Sequence, residues 1–258
     1  MIDSHVHIDA KAYQEMAGGV ERVLLNAANA GVKRFIAPAL HLDSHTQLCT
    51  IEEKFPQVFP AVGVHPHEAS DERSEGLHQA LEERLDQARV PIVGETGLEG
   101  HYDFVPMESQ LESLRIHLDV AKSTGVPIIL HCRETEELLY QELKTYNLPA
   151  AGVVHCFTGT WEWAQRFLEL GFHIGLTGIV TFKKADDVHE VARQIPLERL
   201  LVETDGPYLA PIPFRGKTNM PEYIPHIVNR VAELRESSPD AIGRCTAQNT
   251  VDVFRLPN

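Results

Sequence analysis

Eight short runs of β-branched and apolar residues recur along the chain, at 2–8, 34–39, 58–64, 92–95, 128–132, 152–157, 173–177 and 200–204. Each is followed by a segment whose apolar residues return every three or four positions, the period of an amphipathic helix. Over 107–123, for example, Leu111, Leu114, Leu118 and Ala121 line one helical face, Gly125 suits the C-terminal cap, and Pro127 blocks continuation. This regular strand-helix alternation is the strongest constraint on the fold, because parallel neighbours need a crossover and the crossover is usually a helix. An open doubly wound sheet would place a glycine-rich phosphate loop after its first strand, and none follows residues 2–8. Eight units in 258 residues therefore predict one closed (β/α)8 barrel spanning 1–258 as a single domain.

Composition narrows the setting. With 43% apolar and 23% charged residues the chain is neither disordered nor fibrous. It has no apolar run long enough to span a bilayer and no basic, then apolar, leader at Met1, so a soluble, cytoplasmic protein without a membrane partner is expected. Cys49, Cys132, Cys156 and Cys245 make no C-x-x-C pair and read as reduced thiols. One barrel supplies its own core, so a monomer without an obligate protein partner is the default. A net charge of -14 argues against gripping nucleic acid through a broad basic surface, but leaves open a nucleic-acid substrate held through metal ions.

In a barrel of this kind the active site lies at the C-terminal ends of the strands, so the polar residues there carry the functional signal. His5 and His7 end the first run two residues apart, on one face. A lone strand histidine is usually a hydrogen-bonded core residue; a pair spaced by two at a strand end favours a metal site. Glu95 ends the fourth run, where an unpaired carboxylate would be costly to bury. The fifth and sixth runs both end in His-Cys, with His131 and His155 on one face and Cys132 and Cys156 on the other, as packing residues. Glu203 and Asp205 end the eighth, Asp205 nearer the mouth.

His5, His7, Glu95, His131, His155 and Asp205 thus form a candidate ligand set for two divalent ions, zinc, magnesium or manganese, bridged by one carboxylate. Hydrolysis is the reaction class such a site suits. Asp205 is the candidate to orient the attacking water and take its proton, a purely ligating role being the alternative. Arg133 lies two residues beyond His131 and points at the rim, where a guanidinium can hold a phosphate. The loop after the eighth run, 207–225, carries five prolines and the sequence Phe214-Arg215-Gly216-Lys217, an aromatic beside two cations. That set favours a phosphodiester substrate such as DNA; an amide, lactone or ester of a small molecule is the alternative for the same barrel, and a non-catalytic metal-binding protein the third.

Six motifs carry a resemblance: Asp3-Ser4-His5-Val6-His7, Gly63-Val64-His65-Pro66-His67, Val93-Gly94-Glu95-Thr96-Gly97-Leu98, His131-Cys132-Arg133-Glu134, His155-Cys156-Phe157-Thr158-Gly159 and Glu203-Thr204-Asp205-Gly206-Pro207-Tyr208-Leu209. In this order they resemble the signatures of the TatD family of metal-dependent hydrolases. The resemblance implies an amidohydrolase-type barrel with one ion on His5, His7, Glu95 and Asp205 and a second on Glu95, His131 and His155. It also implies deoxyribonuclease-like activity, including nucleotide removal from DNA 3′ ends, with His65 and Arg133 near the substrate phosphates or a further ion. The family's Gly-Leu-Asp-Tyr pattern is altered here to Gly97-Leu98-Glu99-Gly100-His101-Tyr102, a departure that bears on substrate specificity.

Overall fold

The computed structural model describes residues 1–69 and 74–257. Its strands are β1 (Ile2–Asp3), β2 (Arg34–Pro38), β3 (Val58–Ala61), β4 (Val93–Glu99), β5 (Ile128–Arg133), β6 (Gly152–Val154), β7 (His173–Leu176) and β8 (Leu200–Val202). All pair in parallel, in the ladders β1-β2-β3 and β4-β5-β6-β7-β8. Single bridges join the ladders on both sides, Val62 with Val93 and Val6 with Gly206. Backbone hydrogen bonds reinforce them, from Gly94 N to Val62 O (2.7 Å) and from Asp205 N to His5 O (2.9 Å). The ring therefore closes, and the fold is a (β/α)8 barrel. No helix among the described residues is long and apolar enough to cross a membrane.

The period-two alternation of the strands sorts side chains into two layers. Ile2, Ile36, Phe59, Ile92, Ile129, Val153 and Leu201 fill the barrel interior, with Phe254 and Leu256 from the C-terminal segment packed beneath. Phe35, Val58, Leu130, Val154 and Val202 face outward onto helices, among them Met107–Thr124. That helix buries Leu114, Leu118 and Ala121, with Leu111 packed at its edge, and ends on Gly125 in the left-handed conformation, as its sequence pattern predicts. The inward positions one step above the apolar floor are those of His131, His155 and Glu203, each two residues after Ile129, Val153 and Leu201. An apolar plug thus puts polar groups at one end of the barrel.

Two strands differ from their sequence patterns. The first, expected over 2–8, ends at Asp3, because Ile8 N turns back to Val6 O and His7 N is drawn to Gly206 O. The fourth, expected to stop at Glu95, runs on to Glu99 and contains a bulge: Val93 pairs with Ile128 but Thr96 with Leu130, three residues against two. The extra residue brings Glu95 onto the same inward face as Ile92. Gly97 permits the continuation: at φ +145°, a Cβ there would lie 2.0 Å from His131 O, so only glycine lets β4 and β5 approach this closely.

Candidate metal centre

Glu95, 1% exposed, stands at the centre, and its two oxygens face different partners. Oε2 lies 3.3 Å from His5 Nε2 and 3.8 Å from His7 Nε2, and Asp205 Oδ1 completes that group at 3.8 and 3.5 Å from the same two nitrogens. Oε1 lies 2.6 Å from His155 Nε2 and 3.0 Å from His131 Nδ1, which are themselves 3.3 Å apart. One carboxylate therefore divides five other side chains into two groups of donors.

These donors fit cations better than they fit one another. His5 Nδ1 and Nε2, His7 Nδ1, Glu95 Oε2 and His155 Nδ1 are buried with no hydrogen-bond partner, although several lie close to opposite charges. Buried polar atoms are normally paired, so a cluster of close but misaligned nitrogens and oxygens is what convergence on a common ion produces. The electrostatics agree. Burial by itself would raise Glu95, yet His155, His5, His65 and the hydrogen bond from His131 hold its carboxyl well below the usual range. Burial likewise opposes charge on His155, but Glu95 and Glu203 push it well above an ordinary imidazole. His7 and His131 are also raised against burial, by Asp205 with Glu95 and by Glu95 with Glu99 respectively. Asp205, despite burial, is lowered by its contact with His7 and by the charges of His5 and His155. The carboxylates thus favour positive charge at His7, His131 and His155, while burial and the neighbouring imidazoles keep His5 below an ordinary imidazole.

Surrounding residues orient these groups. Glu203 accepts from Cys156 N (2.6 Å) and Ser4 Oγ (3.0 Å) and sets Oε1 3.7 Å from His155 Nδ1. Asp3 clasps the eighth strand to the first, accepting from Thr204 N (2.9 Å) and Thr204 Oγ1 (2.6 Å) and, more weakly, from His5 N (3.4 Å). His117, in a helical stretch with no metal-site pattern, is fully buried and accepts from Val64 N at 3.0 Å while its Nδ1 meets Ser113 O at 2.7 Å, which fixes the turn carrying His65.

His65 Nε2 lies 3.6 Å from Glu95 Oε1. Its Nδ1 accepts from His67 N at 3.0 Å, and burial lowers its pKa to about 3. A neutral imidazole with an accepting Nδ1 carries its proton on Nε2, so His65 presents a donor to the centre and not a lone pair. Arg133 ends β5, its guanidinium 5.0 Å above the Tyr102 ring. Phe214 stacks on Tyr223 with centroids 3.9 Å apart, and Arg215 lies 4.4 Å above Phe182, so both loop residues have packing partners of their own; Lys217 is exposed.

Glu99 is the residue that sequence reasoning left out of the centre. It is 1% exposed, and its Oε2 lies 3.3 Å from His131 Nε2 and 3.5 Å from His67 Nε2. Burial opposes its charge, but His131 and the backbone donors of His101 and Tyr102 lower it to about 2. Its separation of four from Glu95, an even number along one strand, was the available signal.

Imidazoles and carboxylates gathered at the C-terminal mouth of a (β/α)8 barrel define a metal-dependent hydrolase. The chain belongs to the TatD family: the family model described as "TatD related DNase" matches residues 2–255. It is 36% identical over 259 residues to the uncharacterized metal-dependent hydrolase YjjV of Escherichia coli (strain K12), covering 99% of this chain and 98% of that one. It is 34% identical over 257 residues to the uncharacterized metal-dependent hydrolase YabD of Bacillus subtilis (strain 168), covering 99% of both. The crystal structure of YjjV, a TatD homologue, superposes with a TM-score of 0.92 at 35% identity, covering 100% of this chain and 98% of that one. A TatD-family hydrolase from Entamoeba histolytica shares the fold at a TM-score of 0.85 and 23% identity, over 98% of this chain and 97% of that one.

Proposed function

We propose that residues 1–258 form one divalent-metal-dependent phosphodiesterase domain that acts on DNA and removes nucleotides from 3′ ends. The observation that carries this reading is the division of the Glu95 oxygens between His5, His7 and Asp205 on one side and His131 and His155 on the other. The first group with Glu95 Oε2 would hold one ion, the second with Oε1 another; the donor chemistry suits zinc, manganese or magnesium. Bound there, the ions would supply Lewis acidity, easing deprotonation of the attacking water and drawing charge from the phosphoryl group.

The side chains supply the rest. Asp205 is held ionised, and its side chain, 13% exposed, opens to the mouth. It therefore orients the attacking water and accepts its proton. Glu95 holds the two groups of donors in register, and Glu203, held by Cys156 N, sets a negative charge 3.7 Å from His155 Nδ1. His65 offers an Nε2 donor to a non-bridging phosphate oxygen, and Arg133 binds the same or the next phosphate from the rim. Arg215 and Lys217 provide cations for phosphates further along the strand.

Metal analysis of the purified protein, followed by hydrolysis of a 3′-labelled single-stranded oligonucleotide, tests the reading. Chelation is expected to abolish cleavage, and zinc, manganese or magnesium to restore it. A protein that holds two ions and opens a lactone, ester or amide but leaves DNA, RNA and simple phosphodiesters intact would move the assignment to small-molecule hydrolysis. Arg133→Ala is expected to lower kcat/KM on the oligonucleotide by about thirtyfold with unchanged metal content. An equal loss of metal and activity would place Arg133 in support of the ligands instead.

A further inference from the structure

Between Glu99 and the helix Met107–Thr124, the rings of Tyr102 and Phe104 stack with centroids 5.0 Å apart and planes within 5°, and they stand 42% and 66% exposed. A parallel aromatic pair open to water at the rim of a polar cavity leaves apolar surface for a ligand to cover. We propose that Tyr102 and Phe104 form a stacking platform for a nucleobase next to the scissile phosphate; this rests on the nuclease reading above.

Three observations carry the proposal. The platform is bolted to the metal centre: Glu99 Oε1 accepts from His101 N (2.6 Å) and Tyr102 N (3.2 Å), while Glu99 Oε2 approaches His131 Nε2. Gln110 pins the segment at both ends, accepting from Glu99 N (2.8 Å) and donating to Glu99 O (3.2 Å) and Val105 O (2.9 Å). Rings held this way keep their stacking surface without further ordering when a ligand arrives.

Chemistry for both halves of a nucleotide is also present. The Arg133 guanidinium lies over Tyr102 at 5.0 Å, so a cation suited to a phosphate stands beside the aromatic pair, whose more exposed ring is Phe104. His67 stands nearly perpendicular to both aromatics, with centroids 5.9 and 5.0 Å away, and its Nε2 lies 3.5 Å from Glu99 Oε2. The aromatic of the strand-eight loop is less open: Phe214 is only partly exposed, parallel to Tyr223 with His226 against it at 5.2 Å.

The test compares two oligonucleotides that differ only in a 3′-terminal base or an abasic tetrahydrofuran residue, with the wild type and the Tyr102→Ala/Phe104→Ala double variant. The readouts are the base-to-abasic ratio of kcat/KM and the same ratio of affinities, measured by fluorescence anisotropy in chelator so that no cleavage intervenes. In the wild type both ratios should be about ten, and in the variant they should fall toward one. Phe104→Leu, which keeps bulk but loses the ring, should lie with the double variant, and a melting temperature kept within about 2 °C would show that the fold is intact. A wild-type ratio near one, or a ratio unchanged in the variants, overturns the platform. If the wild type cleaves neither oligonucleotide with its ions bound, the nuclease reading fails, and the affinity ratio in chelator still decides the platform.

Discussion

Asp205→Asn is expected to lower kcat on a single-stranded oligonucleotide by about 10³-fold, measured at metal concentrations that saturate the variant. The substitution is nearly isosteric. The amide oxygen can still face His5 and His7, where Asp205 Oδ1 now lies at 3.8 and 3.5 Å, so the fold and part of the ligation survive. What disappears is a negative charge and a proton acceptor. The field around Asp205, from His7 first and then His5 and His155, holds the carboxyl ionised, and no amide can take a proton in its place. If two ions bind as proposed, loss of charge should also weaken the one held with His5 and His7 while leaving the one held by His131 and His155. The stoichiometry in limiting metal should therefore drop by about one ion per chain. Activity within tenfold of the wild type at full occupancy would remove Asp205 from proton transfer and leave it a ligand only.

Glu95→Gln should cost more, about 10⁴-fold or greater in kcat/KM, and it should empty both positions together. The reason is the contact list of a single side chain: Oε1 meets His155 and His131, Oε2 meets His5 and His7. A glutamine amide has one acceptor and one donor end. Whichever way it turns, an NH₂ group replaces a carboxylate oxygen on one side, and the charge that both ions need is gone. Elemental analysis separates this variant from Asp205→Asn, with fewer than one ion per chain expected against about one. Full retention of one tightly held ion in Glu95→Gln would mean that the carboxylate is not shared.

The barrel and the six central side chains were legible because they obey one local rule. Strands β5, β6 and β8 alternate regularly, so the residues two positions beyond Ile129, Val153 and Leu201 point where their floor residues point, and a polar residue there is conspicuous. Glu95 was found by its charge on an apolar strand, but for an incomplete reason. Simple alternation from Ile92 would turn it outward, and only the bulge between Val93 and Thr96 brings it in. Glu99 and the Tyr102–Phe104 pair escaped because they depend on β4 continuing past Gly97, where a glycine ordinarily signals a break. The role of His65 was open because a tautomer is set by a partner, here the His67 amide, and partners come from the fold. In the strand-eight loop, Phe214 stands beside two cations in sequence, and the fold lays Tyr223 parallel to it, a contact that no local pattern announces.

The bulge in β4 has a consequence for how this chain tolerates change in length. Deleting one residue from Gly94–Thr96 would leave a regular strand with the same composition and nearly the same hydropathy. Because the bulge sets three residues against two, such a deletion restores even spacing: Ile92 and Glu99 keep their inward face, and Glu95 keeps it too when Gly94 is the residue removed. Deleting Gly97 or Leu98 instead forces a choice: with the bulge kept, Glu99 turns into the helix-facing layer and loses His67 and His131; with the bulge lost, Glu95 turns outward and loses its own histidines. A point substitution there removes one contact; a one-residue deletion beyond the bulge reverses a parity. A deletion scan across 92–99 should accordingly be milder at Gly94 than at Gly97 or Leu98.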